Sequence, residues 1–149
     1  MATLETRPRM AEIPEAVDIG LLQKGLLYFA HPYTVLDHCG QMLMSAQEAN
    51  YRLACQRSAR LLERDIMIFS PITHGHPIHM ASPQFIVEQE CEAWYRLDNT
   101  LIDTGIFSGI ILAPGWESSR GCRLERKRFL DQKKPVYHYR EVIRAAESP

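Results

Sequence analysis

The chain has 149 residues, 46% hydrophobic and 23% charged, with a net charge of −1, which suits one globular domain with its own core. So balanced a charge gives no field for a nucleic-acid polymer, and no stretch reaches the ~18 apolar residues of a membrane span. The opening MATLETRPRM lacks the apolar segment of a secretory signal, so the expected location is cytoplasmic, with no membrane partner.

Residues 1–24 hold Pro8, Pro14, several charges and short apolar pieces, and read as a flexible arm ahead of a domain spanning 25–149. Leu26-Leu27-Tyr28-Phe29-Ala30 is an apolar run closed by His31-Pro32, which predicts a first strand with its functional end at Tyr28 to Tyr33. From Ser45 to Arg64, Ala46, Ala49, Leu53, Ala54, Ser58, Leu61 and Leu62 recur at helical spacing and predict a long amphipathic helix. Asp65 to Pro71 repeats the grammar of the first strand and leads into a loop carrying His74, His76 and His79. Ser82-Pro83, a capping residue before an N1 proline, predicts the next helix start, with Trp94, Leu97, Leu101 and Ile102 as its buried stripe. Ile106 to Leu112 predicts strand three and Pro135 to Tyr139 strand four, with a short helix or frayed tail after Arg140. Cys39, Cys55, Cys91 and Cys122 form no C-x-x-C pair and read as mostly buried thiols rather than a disulfide scaffold or zinc knuckle.

Alternating strands and helices predict an α/β fold, a mainly parallel sheet of about four to five strands between two helix layers. Ligands of such sheets bind outside the carboxyl ends of the strands. The candidate site is therefore built from Phe29 to Tyr33, Ser70 to His79 and Pro114 to Gly121.

In the third loop, Ser118, Ser119 and Gly121 precede a helix whose N-terminus favours an anion or sugar hydroxyl; a serine there can equally be a simple cap. Cys122, Glu125 and Phe129 share one helix face at i, i+3 and i+7. A glutamate on that inner face must be paired, partly wet or catalytic, the plain alternative being a surface residue of a charged helix.

The order Tyr28-Phe29-Ala30-His31-Pro32, Phe69-Ser70-Pro71, a helix bearing Asp98, Gly115-Trp116-x-x-Ser119-x-Gly121-x-x-x-Glu125 and Lys134-Pro135-Val136 resembles the nucleoside 2-deoxyribosyltransferase superfamily, in particular its small deoxyribosyltransferase-like and nucleotide N-glycosidase-like branch. The resemblance spans roughly residues 26 to 139. It implies a flavodoxin-like fold, a homodimer or larger homo-oligomer, a nucleoside or nucleoside 5′-monophosphate as the small-molecule partner, and no cofactor. It makes Glu125 the nucleophile at the anomeric carbon, Asp98 the residue that manages the leaving base's proton, Tyr28 the tyrosine beside the nucleophile and Ser119 the 5′-phosphate position. Asp103 is the rival to Asp98. The sequence departs from the family at His31-Pro32-Tyr33, where a small glycine-rich strand end is usual, and in the basic residues around Glu125.

His74, His76 and His79 can be read as a metal cluster, yet Pro77 interrupts them and no acidic residue is adjacent, so His74 and His76 are assigned to the substrate pocket and no metal is expected. Trp116 and Tyr33 can stack on a base or close their loops over the core. Trp94, Tyr95 and the segment Cys39 to Met44 are candidates for a subunit interface.

Overall fold

The run Leu26–Ala30 forms β1, and four of its five side chains are buried, as expected of a central parallel strand covered on both faces. The computed structural model describes residues 16–36, 38–82 and 87–148, and the side chains of 87–89 are not among those described. Beyond β1 the strands are β2 (Met67–Phe69), β3 (Phe107–Leu112) and β4 (Val136–His138). Among the described residues these four make one parallel sheet in the order β2-β1-β3-β4. The helices are α1 (Ile19–Leu22), α2 (Met44–Leu62), α3 (Pro71–Ala81), α4 (Val87–Asp103), α5 (Arg120–Asp131) and α6 (Tyr139–Glu147).

Strand residues alternate between two cores. Leu27, Phe29, Ile111 and Tyr137 face Leu22 of α1, Leu61 of α2 and Val142 and Ile143 of α6. Tyr28, Ala30, Ile110 and Leu112 face Ile102 of α4 and Cys122 and Phe129 of α5. The result is the three-layer, flavodoxin-like α/β sandwich. Each fully buried Leu, Ile or Phe contributes roughly 1.5–3 kcal/mol by leaving water. Close approach of β3 and β4 depends on Gly109, where a Cβ would come within 2.8 Å of the Pro135 carbonyl.

Several expectations require correction. Residues 1–15 of the expected arm lie outside the described residues, but Asp18 caps α1 and Leu22 enters the core. The histidine segment is the helix α3 rather than a loop. Its start carries the cap-and-proline signal assigned to Ser82-Pro83: Ser70 accepts from the Thr73 amide and Pro71 opens the helix. Ser82 is instead the C-cap of α3, and the expected opening at Pro83 lies outside the described residues. On α4, Ile102 is buried but Leu97 is exposed; on α2, Leu53 and Leu62 are exposed while Gln47 is buried. The tail is the amphipathic α6, with Tyr139, Val142 and Ile143 inside. Only Cys122 of the four cysteines is buried. No helix among the described residues is long and apolar enough to cross a membrane.

Candidate functional site

α5 begins where Ser119, in extended conformation, accepts a hydrogen bond from the Cys122 amide at 3.3 Å. With the start fixed there, Cys122, Glu125 and Phe129 fall on one face. Cys122 and Phe129 enter the core, and Glu125 lies between them, partly buried.

Tyr28 meets Glu125 from the sheet. Its ring is fully buried among Phe69, Phe107 and Phe129, and its hydroxyl donates to Glu125 Oε1 at 2.8 Å. Burial pushes the Glu125 carboxyl up to about 8, the negative field of Asp98 adds to the rise, and the Tyr28 hydrogen bond opposes it. Asp98, partly buried on α4, is raised by burial to about 7. Burial and the Glu125 and Asp98 charges keep the Tyr28 phenol protonated far above its ordinary range, so it remains a donor. Burial and Glu125 also push the Cys122 thiol up to about 12, which makes it a poor nucleophile. The site thus holds two carboxyls raised toward neutrality, Asp98 by burial and Glu125 by burial and the field of Asp98, with Glu125 fixed by a phenol.

The third loop adjoins the first. Gly115 has φ +87°, and a Cβ there would lie 3.6 Å from Pro32 Cγ; the Ala113 amide donates to the Ala30 carbonyl at 2.9 Å. Trp116 packs against the core that contains Tyr28 and carries the Arg126 guanidinium 5.2 Å over its ring. Ser118 is exposed in the short 3-10 turn, and Ser119 Oγ serves as the cap. A side chain on Gly121 would meet nothing closer than Ser119 Oγ at 4.0 Å, so this glycine leaves room at the helix start instead of relieving a clash.

Other expected site residues lie elsewhere. Phe29 is fully buried in the opposite core, because adjacent strand residues face opposite ways. His31 points the same way as Phe29: its Nδ1 donates to the Pro32 carbonyl at 2.8 Å and its Nε2 accepts from Arg57 at 2.8 Å. Burial and Arg57 lower its pKa. Asp103 is exposed and paired with Arg128 at 2.7 Å, so it is not the second carboxyl of the site.

His76 is buried and committed, with Tyr33 Oη donating to Nδ1 at 2.6 Å and Glu48 Oε2 bound to Nε2 at 2.8 Å. Tyr33 is thereby held against α3 instead of being free to stack. His79 Nδ1 meets Glu90 Oε1 at 2.6 Å. Among the described residues no group of three His, Cys, Asp or Glu is placed to hold a metal ion. His74 is exposed, its ring between Phe69 and Trp94 at centroid distances of 6.0 and 6.4 Å.

Trp94 and Glu90 were not singled out for the site, although Trp94-x-x-x-Asp98 is a one-turn pair that helical spacing makes visible. Glu90 is 8% exposed and also accepts from Trp94 Nε1 at 3.1 Å.

No curated protein matches the sequence. The profile of the family described as Domain of unknown function (DUF1937) covers residues 25–141, a stretch that contains Tyr28, Asp98 and Glu125. The chain therefore belongs to the DUF1937 family.

Proposed function

We propose that the protein cleaves or exchanges the N-glycosidic bond of a nucleoside or nucleoside 5′-monophosphate through a glycosyl ester on Glu125. The observation that carries this reading is the Glu125 carboxyl itself, withdrawn from water beside Asp98 and oriented by the Tyr28 hydroxyl at 2.8 Å. An inert surface glutamate has neither feature. A carboxylate in a dry site is more basic than in water, and it suits an oxocarbenium-like transition state that collapses to an ester.

The reactive form has Glu125 ionised and Asp98 protonated; with Glu125 at about 8 and Asp98 at about 7 it is the minor singly protonated form, and the hydrogen bond from Tyr28 to Glu125 raises its share. Glu125 attacks the anomeric carbon, the bond from that carbon to the base nitrogen breaks, and the base leaves with the proton of Asp98. Asp98, now ionised, takes a proton from water as the water attacks the anomeric carbon, and the ester bond to Glu125 breaks. A second base in place of water gives exchange. The sugar or 5′-phosphate end is assigned to the start of α5, where Ser118, Ser119 and Gly121 lie. The reading retains the resemblance's expectation of a homodimer or larger homo-oligomer and the cytoplasmic location expected from the sequence.

The test is release of free base from a panel of nucleosides and their monophosphates. Wild type is expected to release base and Glu125→Gln to lose at least about a hundredfold in rate, as for removal of a nucleophile. Unchanged turnover in Glu125→Gln would remove Glu125 from the mechanism. Tight binding of a nucleotide with no product would make the protein a binding module instead.

A further inference from the structure

The proposed reaction leaves open what recognises the base, and a wall of rings beside the carboxyl pair bears on it. Ring centroids lie 6.1 Å apart for Tyr28, bonded to Glu125, and Phe69, 6.0 Å for Phe69 and His74, and 6.4 Å for His74 and Trp94, the last pair perpendicular. Trp94 stands one helical turn before Asp98, so the wall returns along α4 to the second carboxyl. α4 meets α3 through the Trp94–His74 ring pair and α5 through the Asp103–Arg128 ion pair. Gly75 of α3 looks onto one face of the Trp94 six-membered ring, where an added Cβ would lie 3.7 Å from three ring carbons. Trp94 is only half-buried, so part of the indole is left uncovered for a flat ligand.

The indole is also fixed. Glu90 is buried one turn earlier on α4, accepts from Trp94 Nε1 at 3.1 Å and is held by His79 Nδ1 at 2.6 Å. Burying a carboxylate is costly unless it is fully partnered. A buried glutamate and a histidine on a neighbouring helix are a large commitment for holding a ring that only fills space.

Resting on the function proposed above, we infer that Trp94 is the platform on which the substrate's planar base lies, with Glu90 and His79 as positioning residues for its indole. The base then sits one turn from Asp98, which donates the leaving proton. A flat face selects aromatic bases as a class and tolerates purines and pyrimidines alike, because every base has a π-face.

The experiment measures binding of adenosine, guanosine, cytidine and uridine 5′-monophosphates, with ribose 5-phosphate as the base-free control, by tryptophan fluorescence and calorimetry on Glu125→Gln protein. Quenching by nucleotides but not by ribose 5-phosphate is expected, with its larger part lost in Trp94→Phe. Trp94→Ala should weaken nucleotide binding about 10- to 100-fold, the range expected for loss of one base–aromatic stack. In protein that retains Glu125, Glu90→Ala should raise KM for base release with little change in kcat, and Glu90→Gln, which keeps an acceptor for the indole, should restore it. Circular dichroism identifies any variant that fails to fold, and Trp94→Phe preserves most of the packing. Nucleotide affinity and KM unchanged in Trp94→Ala would overturn the platform while leaving base release through Glu125 standing. Trp94-dependent binding without base release would keep the platform and remove the catalytic reading. Failure of every nucleotide in the panel to bind would overturn it.

Discussion

The Tyr28 hydroxyl donates to Glu125 Oε1 at 2.8 Å across 97 positions of sequence, joining the central strand to the helix that starts at Ser119. The bond opposes what burial does to the glutamate. Burial favours the protonated acid, and the phenol favours the carboxylate.

Tyr28→Phe removes that donor and preserves the buried ring. The Glu125 pKa should rise further, moving the acid limb of the rate profile to higher pH. With a hydrogen bond to a charged group contributing roughly 1.5–3 kcal/mol, kcat should fall about 10- to 150-fold. A pH–rate profile of base release checks both effects, and superimposable profiles would mean that the bond does not act in catalysis.

Stability should fall as pH rises. Glu125 moves from an ordinary 4.5 to about 8 and Asp98 from 3.8 to about 7, so between roughly pH 4 and 8 the native state holds protons that the unfolded chain has released. This contribution is complete below the unfolded values and is lost as pH passes the folded ones. Glu125→Gln, permanently neutral, should flatten much of that decline and exceed wild type in Tm at pH 8.5. For a chain of this size each kcal/mol is roughly 2–4 °C. Equal slopes of Tm against pH in the two proteins would contradict the buried, proton-holding carboxyl.

Asp98 and Asp103 make a controlled comparison. Asp98→Asn should slow base release by about 10²- to 10⁴-fold, the range for a general acid, and least for bases that depart readily. Asp103→Asn breaks only an exposed pair with Arg128, so it should leave activity within about twofold and stability within about 1 kcal/mol. Steady-state kinetics of both variants decide which aspartate belongs to the reaction.

Chelator should leave base release unchanged, because His76 and His79 are engaged by Glu48 and Glu90 on α2 and α4. Activity that disappears with chelator and returns with zinc would favour a metal hydrolase.

The parts legible in the sequence were those whose local pattern has one solution. β1 is buried on both faces and reads as an unbroken apolar run, as does the Ile110 to Leu112 end of β3 after the exposed Ser108. The spacing of Glu125 to Cys122 and Phe129 offered an inner placement, but the charges around it favoured the surface, and only the family resemblance tipped the reading inward. The alternation that sends Tyr28 toward Glu125 also sends Phe29 and His31 to the other core. That consequence was readable and was missed. α3 was hidden because its histidines, Gly75 and Pro77 carry little helical propensity, and only Ser70-Pro71 marked it. Asp98 and Asp103 are five residues apart, roughly 140° around a helix, so the sequence could say that they differ in direction but not which faced the site. The His79–Glu90 contact joins two helices and no local pattern encodes it, whereas Glu90 and Trp94 are a one-turn pair on α4.

The most direct measurement is peptide-level mass spectrometry of the protein quenched during incubation with a mixture of nucleosides and nucleoside monophosphates. A sugar or sugar-phosphate mass on the peptide containing Glu125, absent from Glu125→Gln and appearing together with free base, is the predicted result. Base release at an undiminished rate in Glu125→Gln, with no adduct on that peptide in wild type, would contradict the account.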